Sequence, residues 1–124
     1  MLKTAAALAL LFGYAYAWTP YNHASCKLSD ITIRSIRVSP FAEGSDTFNN
    51  LILETHNACA ESIGVELHLV LRDRNDTVVR TEDLWPAGTN NIPAGTTYAF
   101  SEPVYKPAVK AEVTVVQIDK WKVD

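Results

Sequence analysis

Between Gly64 and Arg72 the chain alternates cleanly, with Val65, Leu67, Leu69 and Leu71 in one phase and Glu66, His68 and Arg72 in the other. A period of two is the spacing of one face of a β-strand, because successive Cβ atoms leave opposite sides of the pleat. The pattern predicts a strand with its leucines buried. Phe48 to Cys59 repeats it, with Leu51, Leu53, Thr55 and Cys59 on one face and Ile52, Glu54 and His56 on the other. Upstream, Ile31 and Ile33 alternate with Asp30, Thr32 and Arg34, after which the apolar phase slips by one to Ile36 and Val38. A slip of one exchanges the buried face unless an extra residue absorbs it, which predicts a bulge or kink near Arg34 and Ser35. Such a kink would let the first strand cross from one sheet to the other.

Asp73-Arg74-Asn75-Asp76 has the residues of a tight turn, and Thr77 to Thr81 follows as a returning strand, so the two complete a hairpin. The segment from Trp85 to Gly95, WPAGTNNIPAG, is broken by prolines and glycines and reads as a loop crossing the domain. Thr97 to Phe100 is expected as a short strand stopped by Pro103, and a last strand runs from about Val109 to Ile118. Helical periodicity is absent. Short strands at this spacing, separated by turn signals, predict an all-β fold, an antiparallel two-sheet immunoglobulin-like sandwich of six to seven strands over residues 28–124.

Residues 1–17, MLKTAAALALLFGYAYA, combine one early cation, Lys3, an apolar run and a small-x-small ending at Ala15-Tyr16-Ala17. That is the composition of a signal peptide, which would leave Trp18 first in the mature chain and residues 18–27 as a lead-in to the sandwich. The apolar run falls short of the roughly 20 residues needed to span a bilayer, so the expected location is secreted or periplasmic. In an oxidising compartment Cys26 and Cys59 are expected to form a disulfide. The competing reading, two thiols on a metal, would need further ligands at metal-site spacing, and the chain contains no CxxC or HxxxH.

A strand ending in Asn57, then VELHLVLRD, a turn, TVVRTED, NNIPAGTTYAF and a closing KAEVTVVQID form a series that resembles the bacterial exported immunoglobulin-like modules of the FxLYD kind. The likeness covers roughly Ile31 to Asp119, although the motif that gives the group its name is not present as such. The resemblance implies architecture and a non-catalytic accessory or binding role at the cell envelope. It carries no catalytic residues to this chain.

Lys and Arg number 11 against 14 Asp and Glu, a formal charge of −3 that grows more negative once Lys3 leaves with the leader. With its cations spread between acids, the chain lacks the clustered positive charge that phosphate backbones demand, and nucleic acid is excluded as an expected partner. Catalytic and cofactor signatures are likewise missing: no P-loop, GxGxxG, GxSxG or EF-hand sequence occurs, and no cofactor is expected. His56 and His68 are weak metal candidates, together with Glu54 or Glu66, if their strands pair in register. His23 would stand sixth in the mature chain, which disfavours copper chelation by an N-terminal histidine. Trp18, Tyr21, Trp85 and Trp121 are candidate binding aromatics, with packing the competing role for Trp85. Asn75-Asp76-Thr77 is a glycosylation acceptor if the source is eukaryotic. The functional expectation is a non-catalytic module contacting a protein or envelope component through sheet edges and the 86–95 loop. The alternative is a carbohydrate-binding or adhesin module stacking sugars on its aromatics, and a small metal-handling protein is the third reading.

Overall fold

A computed structural model describes residues 25–121 of the 124-residue chain. A 3-10 turn at Leu28–Asp30 leads into six strands: β1 (Ile31–Pro40), β2 (Phe48–Asn57), β3 (Gly64–Arg72), β4 (Val78–Leu84), β5 (Thr97–Tyr105) and β6 (Lys110–Asp119). The strands with the strictest alternation occupy the centres of two antiparallel three-stranded sheets, ordered β1-β2-β5 and β4-β3-β6. Their inward phases make the core, in which Leu51 and Leu53 of β2 and Leu67 and Leu69 of β3 are wholly buried. Each such leucine removed from water contributes about 1.5–3 kcal/mol. The order follows the immunoglobulin plan, with β1, β2 and β5 at positions A, B and E, β3 and β6 at C and F, and β4 beside C. Among the described residues no strand stands at the G position, outside β6.

The phase slip of β1 is a bulge. Ile33 pairs with Thr55 and Ser35 with Glu54, leaving Arg34 without a partner. The bulge absorbs the slip, so Ile31, Ile33, Ile36 and Val38 all face one core and β1 stays on β2 along its whole length. The expected crossing between sheets does not occur. A second bulge, unforeseen in the sequence, falls at Val116: Leu67 pairs with Val115 and Glu66 with Gln117. It turns Ile118 inward and leaves Val116 exposed. Strand β5 does not stop at Pro103, which pairs with Asn50 and is followed by Val104 and Tyr105. As an edge strand it can carry a proline whose missing N–H lies on the unpaired side.

One end of the sandwich is closed by a buried amide. Asn57, fully buried at the end of β2, donates through Nδ2 to the carbonyls of Glu61 (2.8 Å) and Ile92 (2.9 Å) and accepts at Oδ1 from the Cys59 N–H (2.8 Å). Its backbone bonds Thr96 and Gly95, the latter in the left-handed region at φ +74° that the turn Pro93–Thr96 requires. Beside it Cys26 and Cys59 form a disulfide with Cα atoms 5.8 Å apart, within the normal range. Trp121 lies against Gly64, where any Cβ would collide with the indole.

Replacing Asn57 with Ala would desert three polar groups of the crossing loops, each worth about 1–3 kcal/mol when buried. Urea unfolding should therefore show a loss of about 3 kcal/mol or more, and a loss below about 1 kcal/mol would mean that the loops close without the amide. Cys59→Ser should lower stability by about 2–5 kcal/mol. A melting temperature equal to that of the parent under oxidising conditions would refute a structural role for the bridge.

Candidate functional site

The two long sides of the sandwich, where sheet edges face each other, have opposite chemistry. On the β4–β5 side the inward phase is charged: Arg80, Glu82 and Glu102 stand opposite Leu71, Leu69 and Leu51 in their ladders. Glu82 and Glu102 hydrogen-bond each other across the gap between the sheets, and Arg80 reaches Glu82 at 3.9 Å. Burial pushes the Glu102 carboxyl up to about 7, helped by its hydrogen bond to Glu82 and by that neighbour's charge, with Arg80 opposing. Charges that point inward on edge strands discourage further strands from pairing there.

On the β1–β6 side the inward phase is aliphatic and the seam is open. Ile36, Arg37 and Val38 of β1 and Lys110, Ala111 and Glu112 of β6, with Val109, Arg72 and Asp76, line a groove of about 600 Å³. Its rim holds paired charges, Arg72 Nε donating to Glu112 at 2.7 Å and Lys110 lying 3.6 Å from Asp76. Arg37 makes no ion pair with any described residue. Strands β1 and β6 run close to each other without forming a ladder.

The residues singled out in the sequence are dispersed. His56 lies on the outer face of β2, with Nδ1 2.8 Å from Thr97 Oγ1; His68 lies on the outer face of β3, with Nδ1 2.7 Å from Asp83. Their strands belong to different sheets, so the two imidazoles, and Glu54 and Glu66 with them, do not come together. The Cys26 and Cys59 sulfurs and the Glu61 carboxylate lie within 4.8 Å of one another, but the sulfurs are joined as a disulfide and offer no thiolate. Glu61 instead holds the chain entry. It accepts from Ser25 Oγ (2.6 Å) and N (2.8 Å) and meets Lys120 Nζ at 3.1 Å, contacts that hold its carboxyl down to about 2.

Trp85 and Trp121 meet edge to face, ring centroids 5.0 Å apart and both half-buried. Asn91 clamps the Trp121 backbone, accepting from its N–H at 2.9 Å and donating to its carbonyl at 3.1 Å. The 86–95 loop is accordingly packed down, with Pro86, Ala87 and Ile92 buried and Ile92 bridged to Ile63. Asn75 is exposed in a turn held by Asp73 Oδ1, which accepts from the N–H groups of Asn75 and Thr77. Trp18, Tyr21 and His23 lie outside the described residues, as do residues 1–17, the expected signal peptide. Sequence reasoning missed both long sides. Glu82 and Glu102 read as ordinary surface acids, and the groove arises from strands far apart in the chain. No protein-family model matches this chain, and neither does any curated protein.

Glu102 makes stability depend on pH. From its ordinary 4.5 to about 7 the folded domain keeps a proton that the unfolded chain releases, so this contribution is present at low pH and is lost as pH rises through 7. Glu102→Gln should flatten that slope, raising the melting temperature at about pH 8 and leaving it nearly unchanged at about pH 4. Equal shifts at both values would show that the carboxyl titrates normally.

Proposed function

We propose that this chain is an exported, non-catalytic binding module that grips a protein or cell-envelope component through the open β1–β6 side. The observation that carries the reading is the groove itself: a concave seam in which aliphatic side chains of both sheets lie among charged ones, with ion pairs on its lip and a guanidinium at Arg37 that makes no ion pair with a described residue. A rigid two-sheet frame with one uncovered seam suits recognition, since the scaffold fixes the contact surface before a partner arrives and little ordering remains to be done on binding. The likeness to the FxLYD kind of envelope module points the same way. Sugar stacking has weaker support, because Trp85 and Trp121 pack against each other edge to face and share no flat platform.

A photo-crosslinking side chain placed at Arg37 should capture a recurring partner from native envelope extract, while the same probe at Thr81, on the outer face of β4, should not. Over a panel of peptide, ester and glycoside substrates the purified domain should show no turnover. Measurable turnover together with repeated failure to capture any partner would overturn the proposal.

A further inference from the structure

We infer that the β6 edge receives an extended segment of a partner protein, which adds as a seventh strand and completes the core with alternate apolar side chains. The inference rests on the binding reading above and specifies its geometry.

The first observation is that the core is unfinished on one side. Inward residues of the central strands are sealed, Leu51 and Leu53 at 0% exposure and Val65 at 2%. Ile33, Ile36 and Val38 on β1 and Ala111, Val113 and Val115 on β6 point into the same core yet remain half-buried. Of these, Ile36, Val38 and Ala111 line the open groove beside β6, the side on which the immunoglobulin plan puts a further strand.

The second observation is that β6 is the one edge without protection along this stretch. Strand β1 carries the Arg34 bulge and Pro40, β4 a bulge at Val79 and inward Glu82, and β5 Pro103 and inward Glu102. From Lys110 to Val115, β6 has no proline, no bulge and no inward charge, its own bulge falling beyond at Val116. Its backbone groups on the side away from β3 form a template for another strand.

The occupant follows from what must enter the seam. A second copy docking edge to edge would bring a strand whose inward side chains are already committed to its own core, and the seam would stay open. Extended as a strand, residues 18–24, WTPYNHA, would put Trp18, Pro20, Asn22 and Ala24 in one phase and Thr19, Tyr21 and His23 in the other, so each phase would carry polar or ladder-breaking residues. A lone extended segment with apolar residues at every second position fills the gap between Ile36, Val38 and Ala111. Arg37, which lines the groove near Lys110 and Ala111, would meet a carboxylate at that end of the segment.

The test uses a synthetic peptide of ten residues, the length of β6, in which valine alternates with threonine and an aspartate occupies the end that lies by Arg37. Bound to the purified domain, it should slow amide hydrogen exchange between Lys110 and Val115 by about tenfold or more and leave β4 and β5 unchanged. Methylating the peptide's backbone nitrogens on the ladder side should abolish that protection, a control that alters nothing in the protein. Arg37→Glu should reverse the preference from the aspartate peptide to its lysine counterpart. The inference is overturned if the peptide fails to protect β6, if protection falls on β4 or β5, if N-methylation has no effect, or if light scattering shows the domain pairing with itself through this edge. Capture of a partner through another face would sink this inference and leave a binding role standing, whereas turnover without a partner would remove the binding reading itself.

Discussion

The side-chain amide of Asn57 is the interaction on which the closed end of the molecule depends. A two-sheet sandwich obliges the chain to leave one ladder and enter the other, and the crossing backbone then carries N–H and C=O groups that no strand satisfies. Asn57 supplies partners for three of them, from Cys59, Glu61 and Ile92, while its own backbone ties down Gly95 and Thr96. Both crossing segments are thereby fixed to the end of one central strand. The other closures follow from that placement: Cys59 comes within bridging distance of Cys26, Ile63 meets Ile92, and Asn91 reaches the backbone of Trp121. A local amide network of this kind specifies a geometry more than it adds net stability, since each bond largely replaces one to water.

With that end fixed, the two long sides are free to differ. Where β4 meets β5, a carboxyl pair and Arg80 occupy positions that the ladder would otherwise give to apolar side chains. The arrangement is tolerable because Glu102 holds its proton near neutrality and so presents a neutral hydrogen-bonding group to its surroundings. Where β1 meets β6, the same inward phase is wholly aliphatic and half-covered. The contrast is one of residue type at equivalent register positions, which sets the two sides apart as surfaces.

The sequence made the centre of this architecture legible. Period-two alternation in β2 and β3 is dictated by burial on one face, and the phase slip at Arg34 marked a bulge because any strand that keeps its core face must absorb it. The paired cysteines were readable from their isolation. What local pattern could not convey was adjacency between strands. His56 and His68 share an outward phase in consecutive strands, yet β2 and β3 belong to different sheets, so phase alone put them together when the topology separates them. The Val116 bulge hides in a doubled valine, where either residue could be inward, and Pro103 reads as a strand terminus because its tolerance depends on β5 being an edge. Glu82 and Glu102 acquire meaning only when two strands 20 positions apart face each other across the sandwich.

An unprotected edge is a hazard in any β-protein, because it pairs with whatever strand it meets. On β6 that hazard is bounded in length by the bulge at Val116, which interrupts the straight run, and in chemistry by the Arg72–Glu112 and Lys110–Asp76 pairs on the lip. Nonspecific addition by a flat, uncharged strand therefore meets only a short template flanked by solvated charge. Filling the half-covered seam also removes apolar surface from water, at about 25 cal/mol per Å², so a strand whose side chains fit gains over one that pairs by backbone alone. Selectivity at such an edge would come from the seam, and the backbone ladder would set the direction in which a segment lies.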